Sequence, residues 1–192
     1  MEMNIIISGV GGTGVLTAAR ILAESAFKEG FKVVVGELHG MSQRGGSVRC
    51  DVRIGDVRGA IVPTGKCDLI IGLEPLEAAR LSYKMKRDGK VLVNDYTVRP
   101  PSIRASEYPK IDEIKRIILK FAKEVITINA YDAALKAGSA SSMNVVMIGV
   151  AKGLNILSIG ENTIREVIKE IFSGDYQKIN VRAFEYGLRY FR

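Results

Sequence analysis

The sequence predicts a three-layer α/β fold with a doubly wound, mostly parallel sheet. Short apolar runs recur along the chain, each bounded by glycine or polar residues. They are too short for helices and do not alternate with polar residues, which is typical of strands buried on both faces of a parallel sheet. Helical patterns separate several of them, so the order is strand, helix, strand, repeated. The five predicted strands are Ile5–Ile7, Val33–Val35, Leu69–Ile71, Val91–Val93 and Val125–Ile128.

Helical patterns lie between and after these strands. From Val15 to Phe27 apolar residues recur at helical spacing, and Gly30 follows as a stop signal. Pro75 predicts a second helix, extending to about Lys86, because a helix accepts proline at its first position. The last third of the chain is predicted to be helical, with helices at residues 111–121, 144–153, 164–172 and 185–192.

Residues 47–61 break the pattern. Apolar and polar residues alternate from Ser47 to Ile54, Gly55 and Asp56 form a turn signal, and residues 57–61 are able to return. This predicts an antiparallel hairpin with one solvent-facing side, which would make the sheet mixed.

The length and the charge of the chain narrow its class. Its 192 residues are the length of one ordinary domain, and 47% hydrophobic with 26% charged residues is typical of a packed globular protein. The net charge of +7 favours an anionic partner. The basic residues are dispersed and no reading helix or aromatic platform accompanies them, so we expect no nucleic acid partner.

Cysteine and histidine are scarce. Cys50, Cys67 and His39 are the only residues of these two types, which is too few for a four-cysteine iron–sulfur cluster, a zinc ribbon or a two-histidine iron site. A redox centre would therefore come from another chain. Two isolated cysteines, no basic leader and no long apolar stretch predict a cytoplasmic protein without a membrane partner.

The first candidate motif is the glycine-rich segment Gly9–Gly14, between the first strand and the first helix. Glycines let backbone N–H groups approach a phosphate, and the helix N-terminus adds positive potential. Glu37 ends the second strand roughly twenty residues later, where Rossmann-like dinucleotide-binding folds carry their ribose-binding acid. The alternative is a tight turn without a ligand.

The second candidate motif is the polar loop His39–Ser47, at the end of the second predicted strand. Arg44 within it is able to bind a phosphate or a carboxylate in a bidentate manner. The alternative is an ordinary connecting loop with a solvated arginine. His39 is either a general base or, more simply, a hydrogen-bonded loop histidine.

Two further polar segments have simpler structural explanations. Glu74 stands beside a predicted helix N-terminus, where the helix dipole stabilises a carboxylate. We favour this explanation over a role of Glu74 in binding a ligand or a partner. Ser142 or Asn144 is expected to cap the helix that follows, with a phosphate site as the alternative.

The loop His39–Ser47, joined to Gly9-Val10-Gly11-Gly12, resembles the gamma domain of the pyruvate and 2-oxoacid ferredoxin oxidoreductases, and in particular the beta subunits of the indolepyruvate enzymes. The likeness continues through residues 72–78, 91–94 and 143–149 and covers essentially the whole chain, so residues 1–192 are expected to be a single gamma-type domain. Thr13 departs from the family, which usually has glutamine there.

This resemblance implies an enzyme complex that oxidatively decarboxylates a 2-oxo acid, transfers the acyl group to coenzyme A and passes electrons to ferredoxin. It implies that thiamine diphosphate and the iron–sulfur clusters are bound by an alpha-type partner subunit. This chain would bind no cofactor alone, would contribute no catalytic residue and would be inactive in isolation. Separated from its partner, it would expose an apolar patch that allows a homodimer.

We expect the two glycine-bearing segments to form one anion-accepting face that contacts either coenzyme A or the partner subunit. The alternative function is a stand-alone NAD(P)-dependent oxidoreductase or nucleotide-binding protein, although little chain would remain for a substrate domain. The residues of the expected face are Gly9, Gly11, Gly12, Thr13 and Gly14 in the first segment and Met41, Ser42, Gln43, Arg44, Gly45 and Gly46 in the second.

Overall fold

A computed structural model describes residues 2–40, 45–98, 104 and 107–191. Its centre is a mixed six-stranded sheet with the strand order β2-β3-β1-β4-β5-β6. All five strands predicted from the apolar runs are present, and one more lies among them. The strands are β1 (Met3–Val10), β2 (Val33–His39), β3 (Ser47–Ile54), β4 (Cys67–Gly72), β5 (Met85–Asn94) and β6 (Glu124–Ile128).

Four strands form the parallel part of the sheet. β1, β4, β5 and β6 pair in parallel, and β1 is buried along its whole length. β3 runs antiparallel to both β1 and β2, so β2 points in the same direction as β1. The strands β1, β2, β4, β5 and β6 therefore all end at one edge of the sheet, which we name the carboxyl edge.

The helices cover both faces of the sheet and make the three predicted layers. α2 and α3 pack on one face, and the remaining helices pack on the other. The helices are α1 (Val15–Lys28), α2 (Pro75–Leu81), α3 (Ile111–Ile118), α4 (Ala130–Ala137), α5 (Met143–Gly153), α6 (Glu161–Ile171) and α7 (Gly174–Leu188).

An antiparallel hairpin is present, but it is formed by β2 and β3. The predicted pairing of residues 47–54 with a return strand at residues 57–61 is wrong. That segment crosses over β3: the Val62 N–H donates to the Asp51 carboxylate at 2.7 Å. The face predicted to meet solvent is covered, because Arg49 and Asp51 are buried as an ion pair with Nε to Oδ1 at 2.6 Å. Arg49 and Asp51, two of the polar residues in the alternating pattern, therefore form a buried pair and do not face solvent.

Three helix predictions differ from the structure. The helix α2 ends at Leu81 and β5 begins at Met85, whereas the helix was predicted to extend to about Lys86. The helix α4 was missed, because its buried stripe consists of alanines alone, which are a weaker apolar signal than larger side chains. The last helix begins at Gly174 and ends at Leu188, whereas it was predicted at residues 185–192. The all-round apolar helix α5 is buried as predicted, and its contact with α7 is made by backbone. A Cβ on Gly187 would lie 2.2 Å from the Val146 carbonyl oxygen.

Among the described residues, no helix is both long enough and apolar enough to cross a membrane.

Candidate functional site

The first glycine-bearing segment lines a cleft on the carboxyl edge, together with residues that flank the second segment. The cleft has a volume of about 680 Å³ and lies between the start of α1 and the end of the β2–β3 hairpin. Its lining is largely apolar side chain and glycine backbone, so polar recognition there depends on main-chain groups. The lining includes Gly11, Gly12, Gly14, Thr17, His39 and Gly40.

The first segment is a tight turn that Gly12 and Gly14 make possible. Their φ angles are +98° and +86°, in the region that favours glycine. Thr13 closes the turn from inside, since its N–H and its hydroxyl donate to the Val10 carbonyl at 3.0 and 2.8 Å. Gly9 is buried, and a Cβ on it would lie 2.6 Å from the Thr13 hydroxyl. Gly9 and Thr13 therefore shape the turn, while Gly11, Gly12 and Gly14 line the cleft.

The start of α1 opens into the cleft. Gly14 is its N-cap, no side-chain cap is present and its first turn holds no acidic residue. The first-turn amides of a helix have no partner within the helix, so those of Val15, Leu16 and Thr17 face the cleft as potential donors to an anion.

Asn144 connects this turn to α5. Its side-chain amide donates to the Gly14 carbonyl at 3.0 Å, and a Cβ on Gly14 would lie 2.5 Å from the same nitrogen. The predicted cap at Ser142 is absent, because Ser142 stands at the N-cap position but its side chain makes no capping bond.

The second segment is bonded to the first. The Gly11 N–H donates to the Gly46 carbonyl at 2.9 Å, and Gly45 has a φ of +73°. The structure therefore brings together the glycine residues at 11, 12, 14, 45 and 46. Met41, Ser42, Gln43 and Arg44 lie outside the described residues, so their contribution stays a prediction.

Glu37 and His39 lie on the exposed strand β2, with His39 Nε2 3.5 Å from the Glu37 carboxylate. A ribose-binding acid belongs on a strand adjacent to β1. Here β3 lies between β1 and β2, which moves Glu37 one strand spacing, about 5 Å, further from the glycine turn. This topology argues against the dinucleotide arrangement.

Two buried carboxylates follow β4, and only the role of Glu74 was predicted from the sequence. Glu74 caps α2 by accepting the Glu77 N–H at 2.9 Å, and Tyr108 donates its hydroxyl to the other Glu74 oxygen. Glu77 accepts the Ser47 hydroxyl at 2.5 Å and an Arg80 N–H at 2.6 Å. Glu74 was predicted to serve the helix terminus, but no local signal marked the contact of Glu77 with Ser47.

Burial is the main influence on the titration of Glu74. Desolvation raises the pKa of its carboxyl group above the ordinary value, and the hydrogen bond from Tyr108 opposes this by favouring the charged form. Burial and the neighbouring Glu74 also raise the pKa of the Tyr108 hydroxyl. Glu74 and Tyr108 therefore share a buried hydrogen bond at the carboxyl edge.

The cysteines are buried thiols. Burial raises the pKa of Cys50 to about 12 and also raises the pKa of Cys67, so neither is a thiolate near neutral pH. No group of three or more His, Cys, Asp or Glu that could hold a metal ion occurs in the described part of the chain. The residues described do not fit an iron–sulfur cluster.

Comparison with known proteins agrees with the resemblance. A family model described as pyruvate ferredoxin/flavodoxin oxidoreductase matches residues 4–190. Indolepyruvate oxidoreductase subunit IorB of Archaeoglobus fulgidus is 40% identical over 189 residues, covering 97% of this chain and 94% of that protein. Subunit IorB of Thermococcus kodakarensis is 42% identical over 192 residues, covering 98% and 95%.

A solved structure has the same fold. It is the gamma subunit of keto/oxoacid ferredoxin oxidoreductase from Geobacter sulfurreducens, with a TM-score of 0.72 and 22% identity over 97% of this chain and 96% of that chain. At this identity the likeness concerns the fold alone. The family match and the identity to both IorB subunits extend over nearly the whole chain, and the chain therefore belongs to the pyruvate ferredoxin/flavodoxin oxidoreductase family.

Proposed function

We propose that this chain is the small, non-cofactor-bearing subunit of a 2-oxoacid ferredoxin oxidoreductase that acts on an arylpyruvate such as indolepyruvate. The observation that carries the proposal is the identity of about 40% to IorB subunits over almost the full length of both proteins. The reaction is oxidative decarboxylation of the 2-oxo acid to acyl-coenzyme A, with the electrons passed to ferredoxin.

The iron–sulfur clusters are assigned to another chain because two cysteines and one histidine are too few to bind them. The resemblance to the family implies that thiamine diphosphate is bound by the same alpha-type partner subunit. We place the complex in the cytoplasm, which is consistent with two free, buried thiols. Residues 1–192 act in it as a single gamma-type domain.

The role of this chain is to bind and orient. The cleft offers the first-turn amides of α1 and the backbone of Gly12, which are donors suited to a phosphate of coenzyme A. A carboxylate of the partner subunit would satisfy the same donors. We propose coenzyme A as the occupant of the cleft. The variant experiment below distinguishes it from a carboxylate of the partner subunit.

Reconstitution tests the assignment. The purified chain alone should contain no iron and should reduce neither ferredoxin nor a dye, and activity with indolepyruvate and coenzyme A should appear when the alpha-type subunit is added. Reduction of an acceptor by the isolated chain would show that the cofactors are wrongly assigned to the partner.

A second experiment tests the predicted role of Arg44. In the reconstituted complex, Arg44→Ala should raise the KM for coenzyme A about tenfold, since a charge-assisted phosphate contact contributes roughly 1.5–3 kcal/mol. Arg189→Ala, at the exposed end of α7, is the matched control and should leave the KM unchanged. Weaker assembly with an unchanged KM would instead place the partner subunit at this loop.

A further inference from the structure

The strand β2 is an open edge of the sheet. In the part of the chain that the structure describes, β2 has β3 on one side and no strand on the other. Proteins usually protect such an edge with proline, lysine or a β-bulge, because its free N–H and C=O groups pair readily with another strand. β2 contains neither proline nor lysine, and its register with β3 is unbroken. Val35 and Leu38 are each 39% exposed, so the edge is unprotected and partly apolar.

A groove lies beside this edge, between β2 and α1. Its volume is about 430 Å³, and Val35 and Glu37 line it from the strand. Ala19 and Ala23 line it from the helix, and their small side chains leave room between the two elements. The helices α5 and α6 pack against other parts of α1. The groove and the strand edge are therefore open to a neighbouring molecule on the same side of the protein.

The side of α1 along this groove carries a stripe of exposed residues at helical spacing. Leu16 and Phe27 lie at its two ends and are 43% and 74% exposed. Arg20 and Glu24 lie between them, with opposite charges. A two-fold axis at the middle of the helix would bring Leu16 beside Phe27 of a second copy, and Arg20 beside Glu24 of that copy. The stripe is thus complementary to itself in both its apolar and its charged residues.

The charges around the groove favour a second copy over a strongly charged partner. The whole chain carries a net charge of +7. The groove itself is lined by one cation, Arg20, and by two carboxylates, Glu24 and Glu37. The positive charge that would attract an acidic partner is therefore not concentrated on this face, and two copies are able to approach each other here without strong repulsion.

We propose that two copies of this chain associate through β2 and α1, with the β2 strands pairing antiparallel across a two-fold axis. The pairing satisfies the outer backbone groups of both strands and joins the two sheets into one. Val35 lines the groove together with Arg20 and Ala23, at the middle of the helical stripe, so the axis passes close to Val35. Leu16 and Phe27 then lose contact with water. This interface is independent of the coenzyme A site.

Sedimentation of the isolated chain over a range of concentrations tests the association, and we expect a monomer–dimer equilibrium. Arg20→Glu places like charges on both stripes and should raise the dissociation constant about tenfold or more. Arg20→Glu combined with Glu24→Arg restores opposite charges in the reverse order and should restore the dimer. Arg182→Glu, at an exposed position on α7, changes the net charge equally and is the matched control. A parent chain that stays monomeric, or equal dissociation constants for Arg20→Glu and Arg182→Glu, would overturn the proposal.

Cross-linking tests the position of the axis. Both native cysteines are fully buried, so Val35→Cys introduces an accessible thiol. A bis-maleimide should link two copies of this variant, because the axis places the two thiols side by side. Leu135→Cys, at an exposed position on α4, should remain unlinked. Equal linkage of the two variants would contradict the proposed axis. A monomeric chain whose thiol at position 35 is protected only by the alpha-type subunit would assign the edge to that subunit and overturn the proposal.

Discussion

Two helices begin at the carboxyl edge of the sheet directly after parallel strands, and their first turns differ. α1 follows β1 and starts at Gly14, without a side-chain cap and without an acidic residue in its first turn. α2 follows β4 and starts at Glu74, whose carboxylate accepts the Glu77 N–H. The helix terminus at α2 is satisfied by the chain itself, whereas the one at α1 opens into a cleft.

The difference shows that a strand-to-helix turn at this edge is not by itself a binding site. What distinguishes α1 is that it combines glycine backbone, uncapped amides and a cavity of about 680 Å³. At α2 the third helical residue is Glu77, and at α1 the corresponding residue is Thr17. The N-cap residue also differs, because the Glu74 carboxylate accepts a first-turn amide at α2, whereas Gly14 has no side chain that could do so at α1.

The largest expected effect on stability comes from Gly14→Ala, which adds a Cβ to the glycine turn before α1. The φ of +86° and the 2.5 Å approach of Asn144 Nδ2 leave no room for a Cβ, so we expect a loss of about 3 kcal/mol and a fall in Tm of about 10 °C. Gly30→Ala is the matched control, since its φ is +82° but nothing lies within 4 Å. It should cost only about 1 kcal/mol. Equal losses of stability in the two variants, measured by thermal denaturation, would show that the Asn144 side chain moves aside at little cost.

An intermediate effect is expected at the filled terminus. Because burial raises the pKa of Glu74 above its ordinary value of 4.5, folding favours the protonated acid. The stability that this group contributes is therefore complete below pH 4.5 and is lost as pH rises through the raised pKa.

Tyr108→Phe should extend that loss to higher pH. It removes the hydrogen bond that favours the Glu74 carboxylate, so the pKa of Glu74 rises further and stability falls by about 1 kcal/mol near neutral pH. Glu74→Gln should abolish this part of the pH dependence. Tm recorded between about pH 4 and pH 8 measures both variants. Parallel curves for the parent protein and Glu74→Gln would contradict the assignment to Glu74.

The smallest expected change in stability comes from giving the first turn of α1 an acidic residue, as the first turn of α2 has in Glu77. Thr17→Glu places a carboxylate in the first turn of α1, which should stabilise the isolated chain by about 0.5 kcal/mol through the helix dipole. The same carboxylate should repel an anion from the cleft and raise the KM for coenzyme A. Thr17→Gln has nearly the same shape without the charge and should leave the KM close to the parent value. Identical KM values for the two variants would argue against an anion at this terminus.

Much of the fold was accessible from the sequence because buried parallel strands and amphipathic helices have local patterns. The apolar runs located β1, β2, β4, β5 and β6, and the glycine turn located the cleft. The pairing of β3 was not accessible, because alternation tells which side chains share a face but not which strand lies beside it or what covers its polar side. Residues 57–62 cover that side through the contact with Asp51.

In the candidate site, too, only the features with a local sequence signal could be predicted. Gly12 and Gly14 are recognisable because a left-handed backbone needs a particular residue type, and their contact with the cleft follows from strand direction. Glu77 carries no such signal. Its partner Ser47 is 30 residues away, and the two meet only because β3 enters the sheet between β1 and β2. Contacts that depend on topology appear only once the topology is known.

The backbone contact between α5 and α7 has a consequence for biosynthesis. α5 is apolar nearly all round, and the surface that faces α7 is closed by Gly187 and Leu188. α7 is completed about 35 residues after α5, so a nascent chain carries this face of α5 uncovered during that interval. We expect the uncovered face to bind chaperones until α7 packs against it.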